Sequence, residues 1–152
     1  MSVRRARAEE AARLGALHSD IFATSAWGES FWSQTIDHAD HIVAVFCDAD
    51  DVPVGLGATR HIGEEAEILT FGVAESHRRH GGGRALLHYL VAETEKAGVC
   101  RIFLEVAEEN HAALKLYTGA AFHEVGRRHG YYSDGRHARI LQRRTDLAAV
   151  RH

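Results

Sequence analysis

The sequence predicts an α/β domain built around a mixed sheet, and three observations predict it. Apolar runs of strand length come in pairs separated by turn residues, as at His41–Cys47 and Val52–Thr59. One run, Glu67–Ala74, leads through glycines into a long amphipathic segment, Gly82–Lys96, and then into a second apolar run, Cys100–Val106. That order is a strand–helix–strand crossover, which should be right-handed and place its two strands parallel. The chain has 152 residues and is 45% hydrophobic, which suits one domain with a real core and argues against disorder.

The elements follow in order. Val3–Ala6 reads as a first strand. Ala8–Phe22 reads as a helix, with Ala11, Leu14, Leu17 and Ile21 at helical spacing. Glu29–Ile36 reads as a short second helix. His41–Cys47 is an apolar strand, Asp48–Asp51 a turn and Val52–Thr59 the returning strand. Glu67–Ala74 is the next strand. Gly82–Lys96 is the strongest helix, with Leu86, Leu87, Leu90 and Val91 along one side and Gly98 as its stop. Cys100–Val106 is a buried strand and Asn110–Tyr117 a short helix. Ala121–Arg127 and His137–Arg143 close the domain as a pair of strands. No repeat, low-complexity tract or linker interrupts the series.

Composition excludes several classes. The formal net charge of -3 does not favour a dedicated nucleic-acid binder. No apolar stretch approaches a membrane span, and MSVRRARAEEAARL lacks the apolar block of a secretory signal, so the chain reads as cytoplasmic. Cys47 and Cys100 sit far apart in apolar runs and read as buried thiols. The 12 histidines are unusual. His38 with His41, and His77 with His80, are spaced i,i+3, but no Cys or acidic motif of known spacing accompanies them. The histidines read as mostly solvated surface, with no metal expected.

HRRHGGGRALL, from His77 to Leu87, places three glycines between a basic cluster and a helix start. The first N–H groups of a helix lack internal partners and sit at the positive end of its dipole. Glycines let a ligand approach those amides closely, so the bend can hold an anion, with Arg78, Arg79 and Arg84 adding charge. A plain flexible turn is the competing reading. A nucleoside-triphosphate loop is excluded because Arg84 and Ala85 follow Gly83 where Lys and Ser/Thr are needed. A dinucleotide fingerprint is excluded because its third glycine is missing.

LEVAEENHAALKLYTGAAF, from Leu104 to Phe122, is a buried strand ending in a carboxylate, then a capped helix. Cys100, Ile102, Leu104 and Val106 share one strand face, and Phe103 and Glu105 the other. An acid inside an apolar run costs several kcal/mol, roughly, unless it is paired or wet. Glu105 is therefore either a strand-end salt bridge or a functional carboxylate. Asn110 is an N-cap that could also touch a ligand. Tyr117, two helical turns on, is either a core aromatic or a ligand-facing phenol.

The pattern Arg78-x-x-Gly81-x-Gly83, followed by Arg84-Ala85-Leu86-Leu87, resembles the Q/R-x-x-G-x-G/A loop of the GNAT superfamily of N-acetyltransferases, which binds the pyrophosphate of acetyl-coenzyme A. Leu104 to Phe122 is similar to the LEV-x-x-x-N-x-x-A-x-x-L-Y-x-x-x-G-F segment of that superfamily, and most like the RimI-type ribosomal-protein alanine N-acetyltransferases. Ala26-Trp27-Gly28-Glu29-Ser30-Phe31-Trp32 resembles their P-W-S-E-x-x-F segment, with Trp32 in the last aromatic place. Gly126-Arg127-Arg128, Tyr131-Tyr132 and Asp134-Gly135 resemble their G-x-R-x-x-Y-Y-x-D-G tail. The likeness runs from about residue 3 to residue 143. Ala121 stands where the pattern has Gly, Ala120 where it has Leu, Glu75 where it has Pro, and Trp27 lacks its preceding Pro.

The resemblance implies a single GNAT-like domain over 1–152, with a core of 3–143, a tail of 146–152 and a mixed, mostly antiparallel sheet flanked by helices. Its central β-α-β unit would bind acetyl-CoA. Phe71, Gly72, Val73, Arg78, Arg79, His80, Gly81, Gly82, Gly83, Arg84 and Asn110 would hold that cofactor. Glu105 would be the base and Tyr117 the acid, with Glu67 as the alternative base. Trp27, Phe31, Tyr131 and Tyr132 would form a substrate wall or else pack in the core. The implied reaction is acetyl transfer to an amine, most like a protein N-terminus, possible partners including a ribosomal protein. A small-amine acetyltransferase, a non-catalytic coenzyme A sensor and a phosphate-binding module are the competing readings.

Overall fold

A computed structural model of the protein describes residues 1–23, 27–78, 80–132 and 134–145. The tail expected at 146–152 lies outside these residues. Seven strands form one sheet in the order β1 (Ser2–Arg5), β2 (His41–Cys47), β3 (Pro53–Ile62), β4 (Glu65–Val73), β5 (Arg101–Ala107), β7 (Ala138–Arg144), β6 (His123–Arg128). Every neighbouring pair is antiparallel except β4 with β5, which is parallel as the crossover requires.

Alternation along the strands decides which helix covers which face. In β2, Val43, Val45 and Cys47 pack with α1 (Ala11–Phe22) and α2 (Glu29–Asp37). The intervening Ile42, Ala44 and Phe46 pack with α3 (Gly82–Lys96). A strand buried on both faces reads as a continuous apolar run, and β2 does. Each fully buried Leu or Val of these layers contributes roughly 1.5–3 kcal/mol. α4 (His111–Gly119) lies against the cluster formed by β5, the first half of β4 and the side of α3 that carries Leu87 and Val91. Trp32, fully buried, anchors α2. No helix of the described residues is long and apolar enough to cross a membrane.

The expected elements are present, and their ends move for physical reasons. The first turn of the Ala8–Phe22 helix is a 3-10 turn, Ala8–Glu10. β3 runs past Thr59 to Ile62 because Arg60, His61 and Ile62 pair with Glu67, Ala66 and Glu65 in a hairpin. Those residues are polar or exposed, so no hydrophobic pattern marks them. Cys47 is buried as expected. Cys100 is only half-buried, because it precedes β5 at the rim, with its Sγ 3.8 Å from Glu64 Oε2.

The substitution at Ala121 leaves its turn intact. Ala121 adopts φ of 67°, the left-handed region that costs a non-glycine residue roughly 1–2 kcal/mol. Its N–H reaches the Thr118 carbonyl at 3.1 Å, and the Phe122 N–H reaches that of Tyr117 at 3.0 Å. The helix is thus closed at the expense of backbone strain. Ala121→Gly should raise unfolding stability by about 1 kcal/mol, read as a higher urea midpoint at unchanged slope.

Candidate active site

The cavity begins where β4 and β5 stop pairing. Their ladder joins Glu65, Ala66 and Glu67 to Arg101, Ile102 and Phe103. Past it, Ile68 to Val73 and Leu104 to Ala107 line opposite sides of a cavity of about 960 Å³, which α1, α3 and α4 complete. Strand edges that part in this way leave main-chain groups facing the gap.

Three glycines form one end of it, each with a separate role. Gly81 is the N-cap of α3 at φ of 77°, and a Cβ there would meet nothing within 4 Å. Gly82 is buried, and a Cβ on it would overlap the ring of Phe46. Gly83 faces the cavity, where a Cβ would come no closer than 3.8 Å to Val73. Ala85 is the first residue whose N–H bonds back along the helix, to the Gly81 carbonyl at 3.1 Å. The amides of Gly82, Gly83 and Arg84 therefore have no helical acceptor and sit at the positive end of the α3 dipole. Arg78 and Arg84 line the same end. Arg78 also braces the bend, its Nε donating to the Val73 carbonyl at 2.9 Å. A diphosphate meets the need of this bend for an anion.

Gly72 serves packing. A Cβ on it would approach Ile21 Cγ2 to 2.9 Å and Phe22 Cζ to 3.1 Å. The resemblance expects Gly72 to hold the cofactor. Here the glycine admits α1, while its backbone still lines the cavity.

Across the cavity stand the acid and the phenol. Glu105 projects from β5, its carboxylate 2.8 Å from Arg128 Nε of β6. It also accepts a hydrogen bond from Tyr131, which raises that phenol above its ordinary range. The expected strand-end ion pair is present, and the same carboxylate also lines the cavity. Glu105 and Leu104 additionally line a second groove, of about 430 Å³, together with Arg60, Glu67 and Arg128. Glu105 thus stands between the two spaces, whereas Glu67 reaches only the second. Asn110 caps α4, its Oδ1 accepting from the Ala113 N–H at 3.2 Å, and lines the cavity with Tyr117. Tyr117 is 7% exposed, and burial pushes its phenol well above the ordinary value. It packs edge-on against Phe71 and Phe122 at 6.1 and 5.7 Å between centroids. It is both a core aromatic and a wall residue.

The structure brings Trp27, Phe71, Gly72, Val73, Arg78, Gly81, Gly83, Arg84, Glu105, Asn110, Tyr117 and Tyr132 to this wall. His80 and Gly82 are not in it: His80 is exposed and Gly82 is turned into the core. Phe31 packs behind Trp27 at 4.5 Å. Tyr131 is 49% exposed and stands outside the wall, beside the Glu105 carboxylate, the Tyr132 ring and the Arg128 guanidinium. Arg79 lies outside the described residues.

One wall residue is an exception to the mostly solvated reading of the histidines. His18 is 2% exposed. It sits on the buried stripe of α1, four residues after Leu14 and seven after Ala11, and that spacing was the available signal. Its Nδ1 accepts the Trp27 N–H at 2.9 Å and its Nε2 lies 3.1 Å from Thr70 Oγ1.

Residues 8–122 match the model of the acetyltransferase (GNAT) family. The chain belongs to the GNAT family. This GNAT chain is 40% identical over 85 residues to the [ribosomal protein bS18]-alanine N-acetyltransferase of Escherichia coli K12, a match covering 55% of this chain and 57% of that protein. The chain thus spans little more than half the length of the curated relatives it matches first. The crystal structure of the ribosomal-protein-S18-alanine N-acetyltransferase from Escherichia coli superposes with a TM-score of 0.83 at 25% identity, covering 94% of this chain and 92% of that one. Arabidopsis thaliana NAA60 in complex with a bisubstrate analogue shares the fold, with a TM-score of 0.83 at 20% identity over 95% of this chain and 98% of that one.

Burial pulls the His18 imidazole below its ordinary value. The unfolded chain therefore takes up a proton that the folded GNAT domain refuses. The His18 contribution to stability should be complete above about pH 6.5 and decline as the pH falls below it. Urea melts at several pH values should show this acid loss, and the loss should be shallower in His18→Asn.

Proposed function

We propose that the chain is an acetyl-CoA-dependent N-acetyltransferase whose acceptor is a protein N-terminal α-amine, of the ribosomal-protein alanine type. One observation carries the reading. Free helix amides, a strand-borne carboxylate and a buried phenol converge on the single gap between parted parallel strands. The likeness to the bS18-alanine enzyme, over half of its length, supports the choice of acceptor.

Bound there, acetyl-CoA supplies an activated acetyl group as a thioester. The amides of Gly82, Gly83 and Arg84, with Arg78, Arg84 and Asn110, hold and orient it, and the open faces of Gly81 and Gly83 leave room for close approach. An α-amine has a reference pKa of about 7.7–8.0, so much of it arrives as ammonium. Glu105 takes that proton, directly or through water. Its place between the two spaces lets it meet an acceptor coming from either, and the acceptor's charge takes over part of the pairing that Arg128 and Tyr131 provide. A main-chain N–H of Gly72 or Val73, on the strand edge facing the gap, stabilises the developing oxyanion. Tyr117 points its proton at the departing sulfur. Its raised phenol makes complete transfer unfavourable, so it acts chiefly as a hydrogen-bond donor.

The test is thiol release from acetyl-CoA with N-terminal peptides and with small amines. Release with peptides is expected; release with small amines alone would move the acceptor class, and none with either would leave a coenzyme A-binding protein. Glu105→Gln should lower kcat/KM at neutral pH by about 10²-fold and recover partly at high pH. An unchanged rate at all pH values would transfer the role to Glu67. Tyr117→Phe should lower kcat while leaving the acetyl-CoA dissociation constant, measured by calorimetry, unaltered.

A further inference from the structure

His18 has no part in the chemistry above, yet among the described residues it is the one buried histidine in the cavity wall. Its two ring nitrogens are both engaged. The Trp27 N–H donates to Nδ1 at 2.9 Å, so Nδ1 carries a lone pair and no proton. The neutral ring then bears its proton on Nε2 and donates it to Thr70 Oγ1, 3.1 Å away on β4. A ring committed in this way cannot serve as a base for the acceptor.

The same ring holds the indole of Trp27. The two stack at 4.8 Å between centroids with only 10° between their planes. The Trp27 carbonyl is held as well, accepting from Trp32 Nε1 at 3.1 Å, and Trp32 is fully buried. Both main-chain polar atoms of Trp27 and one face of its ring are thus fixed by core residues. Trp27 itself precedes α2 and belongs to no helix or strand. The indole lines the cavity that also holds Glu105 and Tyr132.

We infer that His18 is a positioning residue that locks Trp27 as the wall against which the acceptor's first side chain lies, and so sets which first residues are accepted. The inference rests on the N-acetyltransferase reading. Without His18, Trp27 keeps its carbonyl bond but loses the amide partner and the stacking surface. Its indole keeps Phe31 and Trp32 beside it but loses the stacked ring that fixes its plane, and the space for the first side chain is less sharply defined. The bend that holds the cofactor lies on α3 and is not touched.

The experiment compares wild type, His18→Ala and His18→Asn with acetyl-CoA and two peptides differing only in an Ala or a Leu at position one. The Asn amide oxygen can take the place of Nδ1 as acceptor. His18→Ala should raise KM for the preferred peptide about tenfold, with little change in KM for acetyl-CoA, and should narrow the preference between the two peptides. His18→Asn should regain most of both. Unchanged peptide KM and preference in His18→Ala, an equal rise in both KM values, or no rescue by Asn would overturn the inference. Should His18→Ala fail to fold, Thr70→Val, which removes the Nε2 partner at constant shape, must shift peptide KM in the same direction, and an unaltered value overturns it. A wild-type enzyme that releases no thiol with any peptide defeats the acceptor reading and this inference with it. Normal wild-type turnover with unaffected variants defeats the inference alone.

Discussion

Two parallel strands that hydrogen-bond over three residues and then part create the space on which everything else in this molecule depends. A continued ladder would satisfy the main chain of Ile68–Val73 and Leu104–Ala107 and leave no cavity. The parting is affordable because each strand is held on its other side, β4 by β3 through to Val73 and β5 by β7 through to Ala107. The antiparallel wings therefore keep a split centre open. The crossover helix then brings its unpaired amides to the end of the split.

Around that gap, single residues meet two demands. Tyr117 packs between Phe71 and Phe122 and still lines the cavity. Asn110 satisfies the first turn of α4 and faces the same space. Gly82 is a core residue beneath Phe46, while its neighbours Gly81 and Gly83 give the backbone freedom and access. Building a site from core and capping residues keeps it rigid, since moving any of them disturbs packing or a helix end. The aromatic side of the wall follows the same rule. Trp27 has no regular structure of its own and borrows rigidity from His18 and Trp32.

Glu105 shows how charge is managed where an acid must stand in a sheet. Alternation places it away from Ile102 and Leu104, on the face opposite α3 and α4. The hairpin of β6 and β7 brings Arg128 and Tyr131 to it. Half-exposed pairs of this kind add little to stability. What they supply is a partner for a carboxylate that lines the cavity.

Much of the fold was legible in the sequence. Strand-length apolar runs, the period of α3 and the Asn110 cap are properties of local segments, and local periodicity reports them. Short motifs also singled out the glycine bend, Glu105 and Tyr117, and the structure brings them to one cavity. Strand order, the early parting of β4 and β5, and the presence of Arg128 beside Glu105 were not legible, for they join residues far apart in the chain. His18 and Gly82 mark the boundary most clearly. The sequence by itself determined that a histidine follows Leu17 and that three glycines open α3. Only the packing of α1 on β4 and of α3 on Phe46 decided that the histidine is buried against Trp27 and that the middle glycine belongs to the core, because burial is set by what the other layers bring and not by the residue's neighbours in the chain.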